Sequence, residues 1–159
     1  MRKVLANTTP LIALANIGRL ELLQKLYETI VVPQAVIDEI KLEPAKSVVA
    51  ACNWIKIEKI GNPSAKNLFK AKLHAGEVEV MILAGEKDAD LLIIDDYEAK
   101  KTAKFLGFNV TGTLGVLLKA KEKGYIERVS PIVDDLIRDG LYIDDNVKEY
   151  VLKEAGELE

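Results

Sequence analysis

The chain has 159 residues, enough for one domain that on folding buries roughly 70% of the surface its unfolded form exposes, so a core forms without disulfide or metal staples. Hydrophobic residues at 49% and charged residues at 30% exclude a disordered tail, and no apolar run reaches the ~20 residues of a membrane-spanning helix. A formal net charge of −3 excludes a protein that grips nucleic acid by bulk charge, and leaves local basic groups at Lys66, Lys70 and Lys72 and at Lys100, Lys101 and Lys104, both read first as solvated helix faces.

The opening Met1-Arg2-Lys3-Val4-Leu5-Ala6 carries a basic pair like a leader, but its apolar stretch stops at Asn7-Thr8-Thr9-Pro10. A short buried strand from Val4 to Ala6 is expected instead. A turn at Asn7-Thr8-Thr9 then leads to a helix opened by Pro10, with Leu11, Ile12, Leu14, Ala15 and Ile17 as its apolar face and Gly18 as its stop. A second helix from about Leu20 to Tyr27 precedes the β-branched strand Thr29-Ile30-Val31-Val32, which Pro33 closes. Val36, Ile37 and Ile40 stand at helical spacing and place Glu39 on a helix.

Trp54 to Ile60 alternates as a half-exposed strand does, and Gly61-Asn62-Pro63-Ser64 is a turn. A longer helix from about Ala75 to Lys87 leads to Leu91-Leu92-Ile93-Ile94, an unbroken apolar run of the kind buried on both faces of a parallel sheet. It ends on Asp95-Asp96. A helix through Ala99, Ala103 and Leu106 stops at Gly107, a strand runs from Phe108 to Thr111, and Gly112-Thr113 opens a helix that reaches Lys123-Gly124. The tail from Ser130 to Glu159 is helical, with a break at Gly140 and an alternating stretch at Tyr142-Ile143.

Strands alternating with helices imply right-handed crossovers, hence an α/β fold of three layers, α/β/α, around a central parallel sheet. No repeat, low-complexity segment or linker divides residues 1–159, so one domain is expected, with a helical tail from about 130. Cys52 is the only cysteine, which rules out an intrachain disulfide and a cysteine zinc cluster and points to a reducing, cytoplasmic setting.

In an open parallel sheet, ligands collect at the carboxyl ends of the strands. Asn7 follows the first strand there, and Asp95-Asp96 the most hydrophobic one, although adjacent acids also serve as helix caps. Glu39 and Glu77 lie on helices directly joined to sheet strands. An oxygen-rich group of this kind suits Mg²⁺ or Mn²⁺, hard ions that keep water ligands and touch substrate phosphates.

The run Ala6-Asn7-Thr8-Thr9-Pro10-Leu11-Ile12-Ala13-Leu14-Ala15 with Gly18 and Leu20, then Val32-Pro33-Gln34-Ala35-Val36-Ile37-Asp38-Glu39-Ile40, resembles the opening of the PIN-like family. Gly76-Glu77-Val78-Glu79, Leu92-Ile93-Ile94-Asp95-Asp96 and Gly112-Thr113-Leu114-Gly115-Val116-Leu117 resemble its later signatures in order, so the likeness covers residues 4 to about 125. It implies a metal-dependent endoribonuclease that uses Mg²⁺ or Mn²⁺ on single-stranded RNA, and relatives include toxins of the VapC type held inactive by a small antitoxin. The family's four acids fall on Asn7, on Glu39, on Glu77 or Glu79, and on Asp95 or Asp96. Glu77 is preferred to Glu79 because it stands in the first turn of its helix, 18 residues before Asp95.

Asn7 departs from the pattern, which has Asp there. An amide oxygen coordinates but brings no charge, so Mg²⁺ should bind less tightly. Asn7, Glu39, Glu77, Asp95 and Asp96 are thus the expected catalytic and metal-holding residues, and Thr8 and Thr113 are candidates to orient carboxylates or meet phosphate, or simply to cap. Two other readings stand: a catalytically impaired PIN-like binding or assembly module, and a phosphoryl receiver, which also has a parallel α/β fold but wants its acidic pair after the first strand. His74 reads as a surface or capping residue, and Tyr97 as packing with base stacking as its alternative. A homodimer is expected, with Leu11, Leu14, Leu22, Leu23 and Leu26 as its contact.

Overall fold

A computed structural model of the chain describes residues 2–69 and 73–158; Met1, Glu159 and, of the first lysine group, Lys70 and Lys72 lie outside the described residues. Strand β1 (Val4–Ala6) leads through helices α1 (Thr8–Asn16) and α2 (Glu21–Tyr27) to β2 (Ile30–Pro33). Helices α3 (Gln34–Glu39) and α4 (Ala45–Ala50) precede β3 (Ile55–Glu58), a 3₁₀ helix spans Pro63–Leu68, and α5 (Ala75–Lys87) enters β4 (Leu91–Ile93). Then come α6 (Tyr97–Phe105), β5 (Val110–Thr111), α7 (Thr113–Glu122), α8 (Ser130–Arg138) and α9 (Asp145–Glu154).

The five strands form one sheet in the order β3-β2-β1-β4-β5, and every pairing is parallel. Leu5 of β1 stands opposite Val31 on one side and Leu92 on the other, so the most apolar strands sit at the centre. Val4, Leu5, Ala6, Leu92 and Ile93 have no exposed surface, which is why those segments carry no alternation. Helices surround the sheet in a three-layer α/β/α arrangement. A receiver domain runs in the order 2-1-3-4-5, so the strand order removes that reading.

Four local expectations change. Thr8 and Thr9 are helical rather than a turn, because Pro10 in the first turn gives up only an N–H that has no helical partner there. The turn at Gly61-Ser64 instead runs into the 3₁₀ helix, and α4 stands between α3 and β3, where no element was expected. Six residues holding only Ala45 and Val49 buried carry too little periodicity to be read. The strand from Phe108 shortens to Val110–Thr111, since the Phe108 amide donates back to Ala103 O and still belongs to the end of α6.

Leu11, Leu14, Leu22 and Leu23 are fully buried inside this chain, and Leu26 packs against the same core, so they are not the surface that meets a second copy. The tail is helical with the expected break at Gly140: α8 and α9 part there, and its φ of +108° favours a residue without Cβ.

Candidate active site at the carboxyl end of the sheet

The chain moves outward from β1 to β2 and β3, then crosses back to place β4 on the other side of β1. That reversal opens a crevice between the carboxyl ends of β1 and β4, the position where open α/β sheets collect ligands. Asn7 ends β1 and Asp95-Asp96 follow β4, so both sides of the crevice are polar.

Asn7 is held by its backbone, whose N–H donates to Ile93 O at 2.9 Å across the two central strands. It is the N-cap residue of α1 but makes no side-chain cap bond. The residue is only 4% exposed, and Oδ1 has no hydrogen-bond partner among the described residues. A buried acceptor left alone costs about 1–3 kcal/mol, so this oxygen is disposed to take a donor or a cation.

Glu77 stands opposite. It sits in the first turn of α5, where its Oε1 accepts the backbone N–H of the N-cap residue His74 at 2.8 Å. Burial pushes its carboxyl above the ordinary carboxylate value; the His74 N–H pulls it back, the charge of Asp96 raises it, and the His74 and Asn7 side chains lower it. Asn7, Glu77 and Asp96 are therefore electrostatic neighbours in the crevice. Asp96 caps α6, with Oδ2 accepting Ala99 N at 2.9 Å.

Glu39 and Asp95 are placed differently, since each of their oxygens accepts a hydrogen bond from a protein donor. Glu39 accepts Thr8 Oγ1 at 3.0 Å and Gly76 N at 2.7 Å, tying the end of α3 to the starts of α1 and α5. A Cβ on Gly76 would lie 2.8 Å from Glu39 Oε1, which is why the residue before Glu77 has no side chain. Asp95 accepts Thr113 N at 2.7 Å and Thr113 Oγ1 at 2.5 Å, and so caps α7 from across the sheet. Thr8 and Thr113 are buried, and their hydroxyls orient carboxylates rather than meet solvent. Glu79 turns away to Ala35 N at 3.2 Å and Lys66 at 3.0 Å.

Among the described residues, no three Asp, Glu, His or Cys side chains converge closely enough to hold a metal ion. The donor set with oxygens to spare is one amide and two carboxylates: Asn7 Oδ1, Glu77 and Asp96. All three are hard oxygen donors, the donor chemistry that suits Mg²⁺ or Mn²⁺. Sequence reasoning treated Lys100 only as part of a solvated face. Its Nζ lies 3.0 Å, and Asp95 Oδ1 2.6 Å, from where a Cβ would stand on Gly112, so a cation leans over the start of α7 at the crevice rim. Its spacing, four residues after Asp96 on one helix, was the available signal.

No helix among the described residues is long and apolar enough to cross a membrane. A family model described as a PIN domain matches residues 3–157. No curated protein matches the chain.

Proposed function

The chain belongs to the PIN-domain family, a nuclease-type fold, and on that premise we propose that it is a metal-dependent endoribonuclease acting on single-stranded RNA. The observation that carries this reading is the orphaned Oδ1 of Asn7, buried at the crevice beside Glu77 and Asp96. In this reading Asn7, Glu77 and Asp96 hold Mg²⁺ or Mn²⁺, while Glu39 and Asp95 hold the frame through Thr8, Gly76 and Thr113. The bound ion supplies Lewis acidity, which lowers the pKa of a water and offsets phosphate charge.

The chain's own groups set the conditions for that chemistry. Glu77 sits where burial makes its charge costly, so a cation arriving beside it is favoured more than at an exposed carboxylate. Lys100 at the rim supplies positive charge for an incoming phosphate without entering the acidic group. Family membership supports a further reading of the protein as the toxin of a toxin–antitoxin pair, bound by a small antitoxin and paired with a second copy of itself.

The test is Mn²⁺ calorimetry together with cleavage of single-stranded RNA. Glu77→Gln combined with Asp96→Ala should abolish both, and Asn7→Asp, which adds a charge at the orphaned oxygen, should raise Mn²⁺ affinity on the order of tenfold and speed cleavage. A second reading is favoured by a specific feature: Asn7 is uncharged where the family pattern has Asp, and among the described residues no three Asp, Glu, His or Cys side chains converge as a metal group. If Asn7→Asp binds no more Mn²⁺ than wild type and neither protein cuts RNA, the chain is a PIN-like binding module.

A further inference from the structure

Helix α6 starts at the crevice, with Asp96 as its N-cap, and runs outward from it. One face, through Ala99 and Ala103, is fully buried. The opposite face carries Tyr97, Lys101, Lys104 and Phe105, at the spacing that aligns side chains along one side of a helix. Tyr97 is 72% and Phe105 88% exposed, so Tyr97 is not the packing residue expected after a strand, and Phe105 is as bare. Lys101 and Lys104 are exposed between them, and none of Lys100, Lys101 and Lys104 forms an ion pair among the described residues.

Helix electrostatics explains part of this stripe. A lysine in the last turn is favoured by the negative end of the helix dipole, which accounts for Lys104. It does not account for two bare aromatic rings, which gain nothing in water, on either side of unpaired cations. On a chain of net charge −3, such a stripe is a local exception that begins at the proposed reaction centre.

We propose that the exposed face of α6 is a landing track for single-stranded nucleic acid, feeding it into the crevice; this deepens the nuclease reading and rests on it. Tyr97 and Phe105 are eight residues apart, roughly 12 Å along the helix at about 1.5 Å per residue, and offer two platforms on which unpaired bases stack. Lys101 and Lys104 between them meet the phosphates, and Lys100, turned toward Gly112 and Asp95, meets the phosphate that enters the crevice. The track selects single strands, because bases inside a duplex have no free face to stack.

The experiment is fluorescence anisotropy of the full chain with a labelled RNA oligonucleotide in EDTA, paired with cleavage kinetics in Mn²⁺. Wild type should bind the single strand more tightly than a duplex of the same sequence. Tyr97→Ala and Phe105→Ala should each weaken binding on the order of tenfold. Lys101→Ala with Lys104→Ala should flatten the slope of log affinity against log salt by about 1.4, at roughly 0.7 per phosphate contact on a single strand. All four side chains are exposed, so circular dichroism and melting should not change. Equal binding by wild type and both aromatic variants overturns the track, as does equal affinity for the duplex. Unchanged RNA binding with a lower molar mass in light scattering also overturns it, and makes the stripe a protein interface. If wild type cleaves RNA and the variants keep its KM, the track is wrong and the nuclease reading stands. If the variants lose oligonucleotide binding while wild type cleaves nothing, the track is right and the nuclease reading is wrong.

Discussion

Asp95 and Asp96 are adjacent in the chain and face different partners. Asp95 accepts from Thr113 with both oxygens, whereas Asp96 accepts Ala99 N with one and its charge is felt by Glu77. Their substitutions should therefore separate. Asp95→Ala should destabilise the fold by about 1–2 kcal/mol, the usual cost of a lost helix cap, with Mn²⁺ affinity nearly unchanged. Asp96→Ala also removes a cap, but it should in addition weaken Mn²⁺ binding. Thermal denaturation beside calorimetry reads the two effects; a loss of metal binding confined to Asp95→Ala would reverse the assignment. Residue identity made the pair visible in the sequence, because two acids after a buried apolar strand are conspicuous. Their division of labour was not visible, since it depends on Thr113, 18 residues further on, reaching back across the sheet. The same holds for Glu39, whose partners Thr8 and Gly76 come from two other helices.

Elements with long periodic patterns were readable, and α5 from Ala75 to Lys87 has the bounds its sequence predicts. The short α4 and the 3₁₀ helix were not, because a single turn or two shows no period and is set by tertiary packing. Helix α8 is a further case, as its N-cap Val129 has no side chain able to cap. The cap comes from Glu157, 27 residues beyond Ser130, whose carboxylate accepts Val129 N at 2.7 Å and Ser130 N at 2.9 Å while Lys121 donates to it at 2.9 Å. The Glu157 side chain is only 5% exposed. Burial pushes its carboxyl up, yet the two backbone N–H groups and Lys121 together hold it below the ordinary value of 4.5. A depressed carboxylate contributes stability that is complete above its unfolded value and lost as pH falls through the folded one. Glu157→Gln should thus cost about 2 kcal/mol at pH 7, the scale of hydrogen bonds to a charged group, and progressively less below pH 4.5. Glu77 acts with the opposite sign, since its raised carboxyl makes burial of the charge unfavourable at neutral pH, a cost relieved on acidification. Melting temperatures of wild type and Glu157→Gln across pH 3 to 7 test this, and parallel curves would exclude Glu157 as the source of the acid-side loss.

At the scale of the whole molecule, alternating strands and helices sufficed for a parallel sheet in three layers, whereas the order β3-β2-β1-β4-β5 did not follow from alternation and decides where the crevice lies. The same topology determines how the chain should unfold. A contiguous buried cluster runs from Val4 in β1 through Leu83 and Leu117 to Val151 in α9, so the tail shares its core with the sheet. Lys121 of α7 and Glu157 beyond α9 fasten the two further. Neither part has a separate core to retain if the other melts. We therefore expect one cooperative transition in calorimetry, with a calorimetric enthalpy equal to the van't Hoff value and roughly 110 kcal/mol at 60 °C, from about 0.7 kcal/mol per residue. The proposed pairing adds a second signature, because association with a second copy stabilises only the folded form and makes the midpoint rise with protein concentration. A midpoint independent of concentration would count against the dimer and leave the single domain intact. Two resolved transitions, with residues 130–158 lost first in hydrogen exchange, would show instead that the helical tail is a unit of its own.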